Sequence, residues 1–154
     1  MNYRIITKDS FSVIGKFISV SDNKKNIQIP AFWEKCHNDG TIKMLHFIDG
    51  DKVMGIGCWG DESGNFDYMI GVESDLKTSS DLTIWNIPDS TWIIFEPVIS
   101  TAEQVTKVWG YIINDFLPNS KYRHAETPDI EMNYKIKDCD AKYSCEIWIP
   151  VIKK

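Results

Sequence analysis

No CxxC pair occurs among the four cysteines, Cys36, Cys58, Cys139 and Cys145. That excludes a zinc knuckle or a thioredoxin-like redox motif and leaves reduced, mostly buried thiols. Basic charge is scarce: 17 Lys and Arg stand against 22 Asp and Glu, a net charge of −5 over 154 residues. A chain without a basic face cannot neutralise a phosphate backbone, and no helix-turn-helix pattern occurs, so direct nucleic-acid binding is not expected. No apolar run approaches the length of a membrane span, and Met1 to Ser10 lacks the apolar stretch of a signal peptide. The expectation is a cytoplasmic protein that does not enter a membrane. The histidines His37, His46 and His124 lack metal-ligand spacing, and there is no GxSxG, Walker or GxGxxG pattern. Neither a metal nor a cofactor is expected.

Aromatic side chains are plentiful. Six Trp, six Tyr and seven Phe make 12% of the chain, and such rings serve a core or a binding pocket equally well. Hydrophobic residues at 43% and charged ones at 25% describe an ordinary globular chain, and the length fits a single domain over 1–154.

Residues 11–20 (FSVIGKFISV) are β-branched and aromatic and read as a strand. A helix is predicted over 27–38, with Pro30 near its first turn and Asp39-Gly40 as its stop. Residues 53–59 and 66–73 form a hairpin around the turn sequence GDESGN. The order then recurs: a strand over 91–98, a helix over 101–117 capped by Thr101 and ended by Pro118, and a hairpin of 130–136 with 143–151. A constant shift of 76 residues lays Trp33 on Trp109, Asn38 on Asn114 and Asp39 on Asp115. This predicts an α+β fold: a duplicated strand–helix–strand–strand unit with halves at about 1–78 and 79–154. Two such units side by side give a mostly antiparallel sheet of about eight strands under two main helices, with a pseudo-two-fold axis and a ligand cleft between the halves.

Strand alternation sorts the last hairpin into faces. Ile130, Met132, Tyr134 and Ile136 share one side, and Glu131, Asn133 and Lys135 the other. Cys145, Ile147 and Ile149 oppose Glu146 and Trp148. Two carboxylates beside a Trp on neighbouring strands make a site for an organic cation. The residues alone equally allow Glu131 and Glu146 to lie on a solvated face, paired with Lys135 or Lys142. Trp109 and its repeat mate Trp33 can pack in the core or meet a ligand. Trp92 and Tyr68 can line the cleft, because the 76-residue shift sets Tyr68, Ile70 and Val72 as a wall facing the acidic pair.

The segments WGYIINDFLPNSKY (109–122), PDIEMNY (128–134) and SCEIWIPV (144–151) resemble the C-terminal half of GyrI-like domains, the effector-binding part of AraC- and MerR-type multidrug regulators. MIGVES (69–74) and FSVIGKF resemble their family counterparts as well, so the similarity covers nearly the whole chain. The resemblance implies the duplicated fold and a stand-alone binding domain. It implies a glutamate at Glu131 that pairs with lipophilic cations in an aromatic pocket, with Glu146 and Trp148 nearby. The expected ligand set is therefore Glu131, Glu146, Trp148, Trp109, Trp92 and Tyr68, for a bulky hydrophobic, cationic small molecule that is sensed or sequestered. Two rivals stand beside it. One is a hydrolase of cyclopropane-bearing genotoxins, in which Glu131 or Glu146 is the general base. The other is a protein-binding modulator whose partner is a regulator or gyrase.

Overall fold

The computed structural model describes residues 1–77, 79, 81–136 and 143–154; Cys139 and Lys142 lie outside them. Nine strands among these residues form one antiparallel sheet, one more than the sequence suggests. Strand β1 (Tyr3–Lys8) carries no hydrophobic alternation because it is an edge strand that is mostly exposed. Among the described residues it pairs only with β6 (Ser90–Ile99). In β2 (Phe11–Val20), Val13 and Ile14 are buried on opposite sides of the sheet, which explains its near-continuous apolar run.

The first α-helix, α1 (Lys25–Asn38), is stopped at Gly40, whose φ of +84° only glycine adopts freely. The chain does not leave the helical layer there. The Asp39 carboxylate accepts from the Thr41 amide (3.0 Å) and hydroxyl (2.6 Å), and this starts a second helix, α2 (Thr41–Asp49), that buries Ile42 and Leu45. Nine residues are too few for a helical period to stand out in sequence.

The hairpin of β3 (Lys52–Gly57) and β4 (Phe66–Glu73) follows, then a short strand β5 (Thr83–Ile87). After β6 comes α3 (Ala102–Tyr111), whose cap Thr101 accepts from the Gln104 amide at 3.2 Å. The helix then widens into a π-wound turn at Ile112–Phe116, followed by α4 (Leu117–Asn119). Strands β7 (Tyr122–His124), β8 (Asp129–Lys135) and β9 (Tyr143–Lys153) complete the sheet.

The strand order is β1-β6-β9-β8-β3-β4-β2-β5, with β7 also on β9. Two-residue links join β1 to β2 and β5 to β6, although each pair stands at opposite ends of that order. The sheet therefore curls until its ends come together, around a core that includes Val13, Met54, Met69, Trp92, Ile130 and Trp148. The other face carries the helices over two further clusters, one under α1 and α2 and one under α3.

The two halves meet where β3 pairs with β8. Gly55 lies opposite Glu131, Met54 opposite Met132 and Ile56 opposite Ile130. Exchanging each of these residues for its mate 76 positions away maps the pairing onto itself, so the pseudo-two-fold axis runs through the Gly55–Glu131 pair. The shift is not constant, however. Met54 pairs with Gly71 and its mate Ile130 pairs with Trp148, so Gly71 corresponds to Trp148, 77 residues away. Val72 then corresponds to Ile149, and since these pair with Ile14 and Ile93, β2 and β6 are related by 79.

Candidate functional site

On the helical side of the sheet, α1 packs over β2 and α3 over β6, leaving the axis between them. Each helix sends a tryptophan to it. The Trp109 indole N–H donates to Glu131 Oε2 at 2.8 Å, and the Trp33 indole N–H donates to the Tyr68 hydroxyl at 2.9 Å. Both tryptophans and Glu131 are half-buried, while Tyr68 is buried. They converge where β3 meets β8, with one carboxylate among them. Opposite that carboxylate, Gly55 contributes no side chain. A Cβ there would collide with the Tyr68 hydroxyl and approach Trp33 Cζ2 to 3.4 Å.

Desolvation dominates at Glu131 and pushes its carboxyl up to about 7; the Trp109 hydrogen bond favours the anion and opposes the rise, and the neighbouring Asp129 adds to it. The Tyr68 phenol is held well above its ordinary value, chiefly by burial and then by Glu131. Toward one end of β8 lies Asp129, raised by burial, with His124 Nε2 at 3.4 Å from its carboxylate and Trp59 tilted against His124 at 4.5 Å. Toward the other, Tyr143 stacks on His46 at 5.9 Å and shares a 2.8 Å hydrogen bond with its Nε2.

The six residues expected to form one site fall on two faces. Glu131, Trp109 and Tyr68 come together as described. Glu146, Trp148 and Trp92 lie on the opposite side of the sheet, because Glu131 pairs with Ile147 and Glu146 with Met132. The expected wall is corrected in the same way: Tyr68, Ile70 and Val72 share the helical side with Glu131 and do not face Glu146. The cause is the single extra residue before β9, since a slip of one turns every side chain of a strand over.

Glu146 is 6% exposed and satisfied from within. Arg4 Nη1 lies 2.9 Å from its Oε2, and Oε1 accepts from the Tyr134 hydroxyl at 2.8 Å and the Trp148 indole at 3.3 Å. Trp92 is fully buried against Trp148. A cavity of about 310 Å³ opens beside Trp148, Met54 and Met132, with Lys8 and Lys52 on its rim. Asp49, Glu73 and Asp75 line it as well, and Lys8 is paired with Glu73 at 3.1 Å. Replacing Arg4 by methionine leaves Glu146 without its counter-charge. The expected cost is about 2 kcal/mol in urea unfolding, moderated because Arg4 is itself half-exposed, with no change in ligand affinity at Glu131.

Trp33 and Gly55 are the site residues that sequence reasoning left out of the ligand set. Both signals were present: Trp33 is the repeat mate of Trp109, and Gly55 is the repeat mate of Glu131 itself. Among the described residues no group of three or more His, Cys, Asp or Glu is arranged to hold a metal ion. No described helix is long and apolar enough to cross a membrane.

The sequence profile of the family Cass2, described as integron-associated effector binding protein, matches residues 4–151. Among curated proteins no sequence matches. A solved protein bound to tetraphenylphosphonium superposes with a TM-score of 0.82 at 21% identity, covering 99% of this chain and 94% of that one. A putative transcription regulation protein from Staphylococcus aureus MU50 gives 0.77 at 22%, covering 98% of each chain. An integron cassette protein from the mobile metagenome of Vibrio cholerae gives 0.69 at 20%, covering 97% and 95%. At these identities the three structures establish a shared fold.

Proposed function

The chain belongs to the Cass2 family of integron-associated effector-binding proteins, and from that premise we propose that it binds a bulky lipophilic monocation in the cleft between α1 and α3. One observation carries the reading: a largely desolvated carboxylate, Glu131, stands on the pseudo-two-fold axis with Trp109 hydrogen-bonded to it and Trp33 on the opposite side of the axis. A carboxylate in such a place lacks the solvation it had in water. A cation whose charge is spread under apolar groups supplies the missing partner at little desolvation cost of its own. The indole faces attract positive charge, and their area makes the contact bulky and apolar rather than specific in shape. Tetraphenylphosphonium bound to a protein of the same fold is a ligand of that chemistry. The biological role that follows is sensing or sequestration of such compounds.

The experiment is a tryptophan-fluorescence titration with tetraphenylphosphonium, beside neutral triphenylphosphine oxide. Saturable quenching by the cation and none by the oxide is the expected result. Absence of saturable binding by the cation to folded protein overturns the proposal, as does equal binding of the neutral compound.

A further inference from the structure

The π-wound turn at Ile112–Phe116, in which the Leu117 amide reaches back to the Ile112 carbonyl, stands beside a second hollow. Turns of this kind redirect side chains and recur at functional sites. Phe116 meets Tyr3 of β1 at 4.9 Å and 72°, and Tyr111 at 6.2 Å and 48°. With Tyr122 of β7 these rings line an open space of about 450 Å³. Phe116 meets Tyr3 edge-on and is tilted to Tyr111, so these three rings are not stacked face to face. Asp115 stands on its rim, and no cation pairs with it among the described residues. The chain shows what these rings attract: the Lys121 ammonium lies 5.6 Å over the Tyr122 ring.

We propose that this hollow is a second binding site, independent of the cleft, for a small soluble quaternary ammonium compound. Tyr3, Tyr111, Phe116 and Tyr122 would surround the methyl groups through their ring faces, and Asp115 would supply the counter-charge. Several ring faces around one desolvated cation are the arrangement that favours such groups over hydrated ammonium. Lys121 is its built-in competitor and also repels the incoming charge.

Aromatic-ring resonances of the whole chain, followed by NMR during titration with tetramethylammonium, test this. Saturable shifts confined to the four rings are expected, with a Kd of about millimolar order. Asp115→Asn weakens binding about threefold to fivefold and Lys121→Gln strengthens it, a pair of opposite signs that general destabilisation does not produce. Glu131→Gln leaves the affinity unchanged. The proposal is overturned if no ring shifts, if neutral 2,2-dimethylpropanol shifts the rings equally, or if Glu131→Gln abolishes the effect while Asp115→Asn does not.

Discussion

Replacing Glu131 by glutamine raises the Kd for tetraphenylphosphonium about thirty- to a hundredfold, the ~2–3 kcal/mol that follows from removing one partner of a desolvated charge pair. Glutamine keeps an acceptor for the Trp109 indole, so the wall stays in place and only the charge is lost. Wild-type binding has a matching pH dependence. Because the carboxyl ionises at about 7 and the cation favours the anion, binding releases a proton at lower pH. Affinity therefore rises about tenfold from pH 6 to pH 8 and is flat in the variant.

Stability runs the opposite way. The folded protein holds this proton more tightly than the unfolded chain, whose value is near 4.5. The contribution is present in full below about 4.5 and is lost as pH rises through 7, about 3 kcal/mol at most and less to the extent that solvent reaches this half-buried group. Glu131→Gln lacks that slope and is the more stable of the two at pH 8. Urea midpoints at pH 5 and pH 8, read beside the cation titration, check both halves. An unchanged Kd in the variant sinks the assignment of Glu131 as counter-charge.

Gly55→Ala is the second large effect. The added methyl strikes the Tyr68 hydroxyl, which is fixed by its hydrogen bond to Trp33 and cannot swing clear of a buried strand. Overpacking of this kind costs about 1–3 kcal/mol. Here it also pushes Trp33 out of position, so cation affinity falls at least about fivefold, as displacement of one aromatic wall implies. Removing the struck atom separates the two causes. In Gly55→Ala with Tyr68→Phe the single-site losses are not additive, and part of the stability returns. Strict additivity in urea unfolding means that the methyl acts elsewhere.

Much of this architecture was legible in the sequence because the physics that fixes it is local. Alternation in 130–135 and 143–151 assigned each strand's two sides correctly, and Thr101 and Asp39-Gly40 marked real helix boundaries. What alternation cannot give is which side of one strand matches which side of the next. That depends on loop length, and one extra residue before β9 moved Glu146 and Trp148 away from Glu131. Strand β1 escaped notice for a different reason: a half-exposed edge needs no hydrophobic pattern, yet it supplies Arg4, the partner that neutralises Glu146. Helix α2 was hidden by the stop signal that precedes it. At the axis, Glu131 followed from the resemblance, and Trp109 was read from the apolar side of its helix as a residue for the core or a ligand. Trp33 and Gly55 needed the pairing of β3 with β8, a contact between residues 76 apart.

The Gly55–Glu131 pair has a further consequence. Two identical subunits related by a true dyad present each side chain at the axis twice or not at all, so their central charge is zero or even. A single chain that carries both units is free of that parity rule. It can hold one carboxylate on the axis with a glycine as its counterpart, and so offer one negative charge to a ligand that brings one positive.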